Sequence, residues 1–275
     1  AGCGLPYYVG GLIPEKEQLI VNTPAKFTEL TGAKVLVERE VTSLDASAKQ
    51  LAAKNLRTGM EETYSYDECV IACGASSIVP PLQGVSLPGV FTMRTPDDAI
   101  ELRDYVERTG AKRAVVAGGG FIGLEAAENL AAKGLTVTVI DMADQIMPGF
   151  DKEMADYAKR HLEKKGIKVL LGTRLEAVLG DSKAAGVKIP DGELKADVVV
   201  MSLGIRPNTA FLKDTGLEMM PNGTILVDSQ MKTNLPNVYA AGDCTGRPYQ
   251  YAKAVGEGNV AVHSVLDYLK KHKDN

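Results

Sequence analysis

One pattern occurs twice in this chain, and the repetition constrains the fold more than any other feature. The first copy opens on Gly32-Ala33-Lys34-Val35-Leu36, runs through a hairpin region with a turn at Thr58-Gly59, and closes on Asp67-Glu68-Cys69-Val70-Ile71-Ala72-Cys73-Gly74. The second opens on Gly166-Ile167-Lys168-Val169-Leu170, turns at Asp191-Gly192, and closes on Asp197-Val198-Val199-Val200-Met201-Ser202-Leu203-Gly204. The openings stand 134 positions apart and the closings 130. Each copy reads as a strand, an antiparallel meander, and a buried apolar strand that ends in glycine.

A complete β-α-β unit precedes the second copy. Ala114 to Ala117 reads as a short buried strand, Leu124 to Lys133 as a helix ending at Gly134, and Thr136 to Ile140 as the next strand. A further helix is predicted over Asp151 to Lys165, with Met154, Tyr157, Ala158 and Leu162 on its apolar face. From Asn222 onward the first copy resumes, with strands at Thr224 to Val227 and Val238 to Ala241 and a closing helix over Tyr249 to Lys271. The expected organisation is a split first domain, 1–107 plus 224–275, with a second domain inserted at 108–223. The repeat offset puts the first domain's own β-α-β unit upstream of Ala1, so that domain is expected to be incomplete.

Between the strand and helix of the intact unit lies Gly118-Gly119-Gly120-Phe121-Ile122-Gly123. A lone glycine-rich hexapeptide says little, but this one follows a strand, opens a helix, and is answered by Asp141, 23 residues after Gly118. Gly118 permits the tight turn, Gly120 lets backbone approach a pyrophosphate, and Gly123 packs helix on strand. The free N–H groups of the helix start favour an anion. Asp141 is positioned to accept hydrogen bonds from ribose hydroxyls and to repel a 2′-phosphate. Met142-Ala143-Asp144 follow it without an arginine, so the expected cofactor is NADH, with NADPH disfavoured.

Other classes are set aside on composition. A net charge of −4 offers no basic surface for nucleic acid or an anionic membrane, and no apolar run reaches the length of a bilayer span. Four cysteines (Cys3, Cys69, Cys73, Cys244) do not make a disulfide scaffold; their sparse use fits a reducing cytoplasm. None has CxxC spacing, and His161, His263 and His272 are isolated, so no zinc site is expected. Cys69 reads as core and Cys244 as a packing residue. His263 reads as a packed or rim residue among Val260, Val262 and Val265.

The opening run, Ala1-Gly2-Cys3-Gly4-Leu5-Pro6-Tyr7-Tyr8-Val9-Gly10-Gly11, holds the remaining candidate. Glycines on both sides of Cys3 would let a flat ligand come close to its sulfur, and a helix start would favour the reactive thiolate. A buried cysteine can equally be a small hydrophobe. The residues alone leave both readings open, as they do for Tyr7 and Tyr8, which could line a pocket or pack.

The run C-G-L-P-Y-Y-x-G-G resembles the active-site loop of coenzyme A-disulfide reductases, a group related to NADH oxidases, NADH peroxidases and sulfur reductases. The resemblance covers about 1–245 and implies an α/β fold of two dinucleotide-binding domains, Rossmann-like with β/β/α layers, the first domain incomplete. It implies FAD beside NADH, and makes Cys3 the redox nucleophile. By the same resemblance Val41, Ala72, Cys73, Gly74, Gly242 and Asp243 would contact FAD, Asp243 at the ribityl chain and Cys73 in place of the usual threonine. Phe121 would gate the nicotinamide pocket, Glu125 would contact the carboxamide, and Gly204 with Arg206-Pro207-Asn208 would lie near the nicotinamide. The implied partner is a small disulfide such as coenzyme A disulfide, or another sulfur or oxygen species; homodimers belong to the longer family members. The pattern departs from the family in lacking the first glycine loop and the C-terminal dimerisation domain. Gly246-Arg247-Pro248-Tyr249-Gln250 through Gly256-Glu257-Gly258 instead resembles the end of small thioredoxin reductases. Their mechanism is disfavoured, because no cysteine lies between Cys73 and Cys244. Two rival readings stay open: an NADH oxidase or peroxidase in which Cys3 cycles through sulfenic acid, and a non-catalytic fragment that binds NADH alone.

Overall fold

The structure, a computed structural model, describes residues 2–271. Ala1 and His272, both considered above, lie outside them. In chain order the elements are α1 (Leu5–Gly10), α2 (Pro24–Thr31), β1 (Arg39–Asp45), β2 (Gln50–Asn55), β3 (Glu61–Ser65), β4 (Cys69–Ile71), β5 (Ala75–Ser77) and β6 (Val90–Phe91). There follow α3 (Pro96–Thr109), β7 (Arg113–Ala117), α4 (Phe121–Ala132), β8 (Thr136–Ile140), α5 (Lys152–Lys164) and β9 (Lys168–Leu170). The chain closes with β10 (Ala177–Leu179), β11 (Gly186–Ile189), β12 (Gly192–Lys195), β13 (Val198–Met201), β14 (Ile205–Pro207), β15 (Val238–Ala240) and α6 (Tyr251–Lys271). Two compact units emerge: Ala1–Thr23 with Ser77–Gly204, and Pro24–Ser76 with Ile205–Asn275.

The first unit is built on a parallel sheet of order β6-β13-β7-β8-β9. Its strands are apolar on both faces because both faces are covered. Val116, Val137, Val139, Val198 and Val200 point into a core shared with α1, α3, α4 and α5. Val115, Ala117, Ile140, Val199 and Met201 point into a second core under the β10-β11-β12 meander. Each fully buried valine of β13 contributes on the order of 2 kcal/mol. This is the β/β/α layering that the family resemblance implies. α3 is delimited by a capping box, Thr95 accepting from the Asp98 N–H, and by Gly110 in the left-handed region at φ 63°.

The second unit holds the β1-β2-β3 meander, the parallel pair β4 and β15, and the β5–β14 pair. Along β15, Val238 and Ala240 join a core with Leu44, Ile71, Leu212 and Ile225, while Tyr239 and Ala241 pack against Ala261 of α6.

Several elements differ from expectation. Val35, Leu36 and Val37 form no strand and are exposed. Their counterpart in the other copy, β9, exists because it pairs with β8, and a strand needs such a ladder. Thr224 to Val227 is reduced to a single bridge between Met219 and Ile225. On α5 the buried residues are Ala155 and Leu162, with Ala158 packed beside them, while Met154 and Tyr157 face solvent. α2 carried no signal read above. The compact units also run differently from the expected boundaries at 108 and 223: residues 2–23 and 77–107 pack with the β7–α4–β8 unit, because α1 and α3 share its core. Among the described residues, no helix is long and apolar enough to cross a membrane.

Candidate functional site

The glycine turn between β7 and α4 is held by close approaches at two of its glycines. Gly118 has φ 112°, and a Cβ there would lie 2.1 Å from the Ser202 carbonyl oxygen. A Cβ on Gly123 would lie 2.0 Å from the Gly118 oxygen. Both glycines are therefore demanded by the packing of turn, helix and β13. Gly120 is different: a Cβ there would meet nothing within 4 Å. It is also the N-cap of α4, with no side chain capping the helix. Open space in front of uncapped N–H groups is a cradle for a phosphate, and the turn fits a dinucleotide on that observation.

Asp141, at the end of β8, is built into this turn. One carboxylate oxygen accepts the Gly119 N–H at 2.6 Å, and the other accepts the Ala143 N–H at 2.8 Å. Each oxygen keeps a second lone pair for a ligand hydroxyl. Phe121 is 54% exposed and stacks edge-on against Phe150 at 5.5 Å. Ile122 is half-buried against the helical core. Glu125, one turn into α4, is half-buried, and burial with the nearby Glu128 charge raises its carboxyl above the usual range. Gly204, at φ 98°, is exposed just after Ser202, and its carbonyl accepts the Ile78 N–H at 2.9 Å.

Cys3 lies in this same unit. It is exposed and sits in a short 3-10 turn, Gly2–Gly4, directly before Gly4, the N-cap of α1. The buried-hydrophobe reading of Cys3 is thereby corrected: solvent reaches it. A Cβ on Gly2 would meet nothing, whereas one on Gly4 would come 3.1 Å from Ile13 Cδ1, so one flank of the cysteine is open and the other is packed. Leu5, Tyr8 and Val9 anchor α1 in the core, and Gly10 abuts Asn129 of α4. Arg103 of α3, which carried no motif, clamps the loop that follows. Its guanidinium lies 4.6 Å over the Tyr8 ring and donates to the carbonyls of Tyr8, Ile13 and Pro14 at 3.0–3.4 Å. Of the two tyrosines, Tyr8 packs and Tyr7 is exposed.

In the second unit the turns Ala72–Gly74 and Gly242–Asp243 follow the neighbouring parallel strands β4 and β15. Both lie at the carboxyl ends of those strands, where open α/β sheets bind ligands. Asn208 fastens the first turn: its backbone N–H donates to the Gly74 carbonyl, its amide nitrogen to the Cys73 carbonyl at 3.0 Å, and its amide oxygen accepts from Ser76 at 2.6 Å. The second turn is held from α6. Glu257 accepts from the Gly242 N–H and from Thr245, and Lys253 donates to the Gly242 carbonyl, to Thr245 and to Glu257. Lys253 and Asn208 do the bracing, a role that no local motif announces. Val41 lies half-buried on β1, at an irregularity in its register with β2. His263 is exposed on α6, and Cys69 is half-buried, its thiol raised by burial. Among the described residues no cluster could hold a metal ion.

Residues 2–258 match the family described as pyridine nucleotide-disulphide oxidoreductase. The chain belongs to that family. An NADH oxidase of Methanocaldococcus jannaschii is 37% identical over 88% of this chain and 54% of its own length. Reduced CoADR-RHD from Bacillus anthracis superposes with a TM-score of 0.92 at 30% identity, over 100% of this chain and 50% of that one. A NAD-dependent persulfide reductase from A. fulgidus gives 0.90 at 36% identity, over 96% and 52%. The chain spans about half the length of these relatives. Its architecture is the two-dinucleotide-binding-domain fold of this oxidoreductase family, the second unit carrying fewer parallel strands than the first.

Proposed function

We propose that the protein passes electrons from NADH, by way of FAD, to a disulfide or another small sulfur substrate, with Cys3 as the redox sulfur. The observation that carries this reading is that one compact unit presents both an exposed thiol and an uncapped glycine cradle, joined by the Gly10–Asn129 contact.

Gly118 to Gly123 hold the NADH pyrophosphate, Asp141 its adenosine ribose, and Phe121, Glu125 and Gly204 its nicotinamide end. Val41, Ala72, Cys73, Gly74, Gly242 and Asp243 hold FAD; the paired turns after β4 and β15 support that assignment. When bound, the two cofactors supply a pair of electrons to sulfur. Cys3 contributes the chemistry of the chain itself. Its thiolate attacks one sulfur of the substrate disulfide, the S–S bond breaks, one thiolate leaves, and a mixed disulfide remains on Cys3 until two electrons release the second thiol. The exposed position of Cys3 suits a substrate arriving from solvent. Coenzyme A disulfide or a persulfide is the substrate class, in keeping with the names of the structural relatives.

The likeness to an NADH oxidase favours a second reading, in which Cys3 attacks a peroxide and passes through sulfenic acid. Purified protein with added FAD and NADH separates the two. Consumption of coenzyme A disulfide without matching loss of oxygen supports the first reading. Loss of oxygen or peroxide with no thiol formed supports the second, and no NADH turnover at all leaves a nucleotide-binding protein.

A further inference from the structure

We propose that Cys73 and Cys244 form a reversible disulfide within the chain, a peroxide-responsive staple between the turns that follow β4 and β15. The two residues are 171 positions apart, and the parallel register of the strands brings them together. Ile71 pairs with Ala240, and the ladder continues with the Ala241 N–H donating to the Ile71 carbonyl at 3.0 Å. The chain then folds back at Asp243–Thr245, so that Cys244 Sγ comes 3.6 Å from the same Ile71 carbonyl and 3.3 Å from that of Ala241. Cys73 is two residues beyond Ile71. Both cysteines belong to one apolar cluster, which sets their thiols side by side beneath the two turns.

Two thiols in contact share a proton. The neighbouring Cys73 thiol and nearby backbone N–H groups lower Cys244 to about 7, while Cys73 is pushed up. Thiolate is the form that reacts. Cys73 is the partner that solvent reaches, Cys244 being fully buried. The charge rests on Cys244; transfer of the Cys73 proton to it gives the Cys73 thiolate, which attacks one oxygen of hydrogen peroxide. The O–O bond breaks and hydroxide leaves, giving sulfenic acid on Cys73. Cys244 then attacks that sulfur, the S–O bond breaks, and the departing hydroxide takes the Cys244 proton as water. Together with the proton lost at the start, two thiols and one peroxide become one disulfide and two waters. A dithiol reductant reverses the change by exchange. Cys69 stands on the same face of β4 but is not bonded to Cys244, which makes it an internal control.

This inference does not depend on the proposed activity, since it concerns neither Cys3 nor the nicotinamide. Purified protein is treated with hydrogen peroxide, blocked with an alkylating agent, digested, and mapped by mass spectrometry. The expected product is a peptide pair joining Cys73 to Cys244, about 2 Da lighter than the two thiol peptides together, and returned to them by dithiothreitol. In the Cys3→Ser chain, titratable thiols under denaturing conditions should fall from three to one. Cys69→Ser should still form the bridge, and Cys244→Ser should not. A bridge through Cys3 or Cys69 instead, or Cys73 and Cys244 both alkylated after peroxide, overturns the proposal, and either result can be read on the unmutated chain.

Discussion

Gly10 of α1 faces Asn129 of α4 so closely that a Cβ on Gly10 would lie 2.2 Å from Asn129 Oδ1 and 3.0 Å from its Cβ. Asn129 cannot swing away freely, being buried and donating to the Glu125 carbonyl at 2.8 Å. Gly10→Ala should therefore cost about 2 kcal/mol of stability through overpacking, read as a lower urea midpoint. An unchanged midpoint would show that the contact is loose.

Asp141 fastens the Gly119 N–H and, in the proposed function, faces the adenosine ribose. In the unmutated protein NADH should bind tens of times more tightly than NADPH, a difference of about 2 kcal/mol. Asp141→Ala should weaken NADH and bring the two affinities close together, as measured by fluorescence titration of each. Equal affinities before mutation would remove the role given to Asp141.

FAD retention should be poor in the 275-residue chain by itself. The second unit offers the turns after β4 and β15, but Val70 on β4 is 41% exposed where a parallel strand is normally covered. Gel filtration after mixing with FAD should separate the flavin, and an apolar dye should bind the protein. A stoichiometric flavin that stays with the protein would contradict this expectation.

A pH test follows from Asp197, which ties the start of β13 to β7. Its carboxylate accepts from Arg113 at 2.6 Å and from the backbone N–H groups of Lys112 and Arg113 at 3.0 Å. The Arg113 guanidinium, foremost, lowers the carboxyl from 3.8 to about 2. A depressed folded value means that the stabilisation is present above about pH 4 and fades as pH falls from there toward 2. Because both side chains remain partly exposed, Asp197→Asn should cost only about 1 kcal/mol at neutral pH. The gap in melting temperature between the two proteins should close below pH 4; a gap constant down to pH 2 would assign the effect to something other than charge.

Local pattern revealed what local physics governs. The β7–α4–β8 unit was legible because strand burial, helix periodicity and the glycine turn all act within thirty residues. Long-range pairing hid the rest. Cys73 and Cys244 carry no shared motif, since only the register of β4 with β15 joins them. Val35 to Val37 has strand composition yet forms none, because a ladder partner decides the matter and composition does not. Arg103 looks like any helical arginine until the chain folds α1 beneath it. On α5 hydrophobicity points to Met154 and Tyr157, yet these long side chains face solvent, and the packing takes the small Ala155 beside Ala158 and Leu162.

Stopped-flow flavin reduction paired with disulfide turnover shows whether Cys3 carries electrons to the substrate sulfur. Both are measured in a flavin-competent form of the protein, on the unmutated sequence, Cys3→Ser and Cys69→Ser. Serine keeps the size of the side chain but removes the usable thiolate and all S–S chemistry. Cys3→Ser should leave reduction of flavin by NADH near the parent rate and abolish disulfide turnover, while Cys69→Ser should change neither. Disulfide turnover near the parent rate in Cys3→Ser would rule out Cys3 as the redox sulfur.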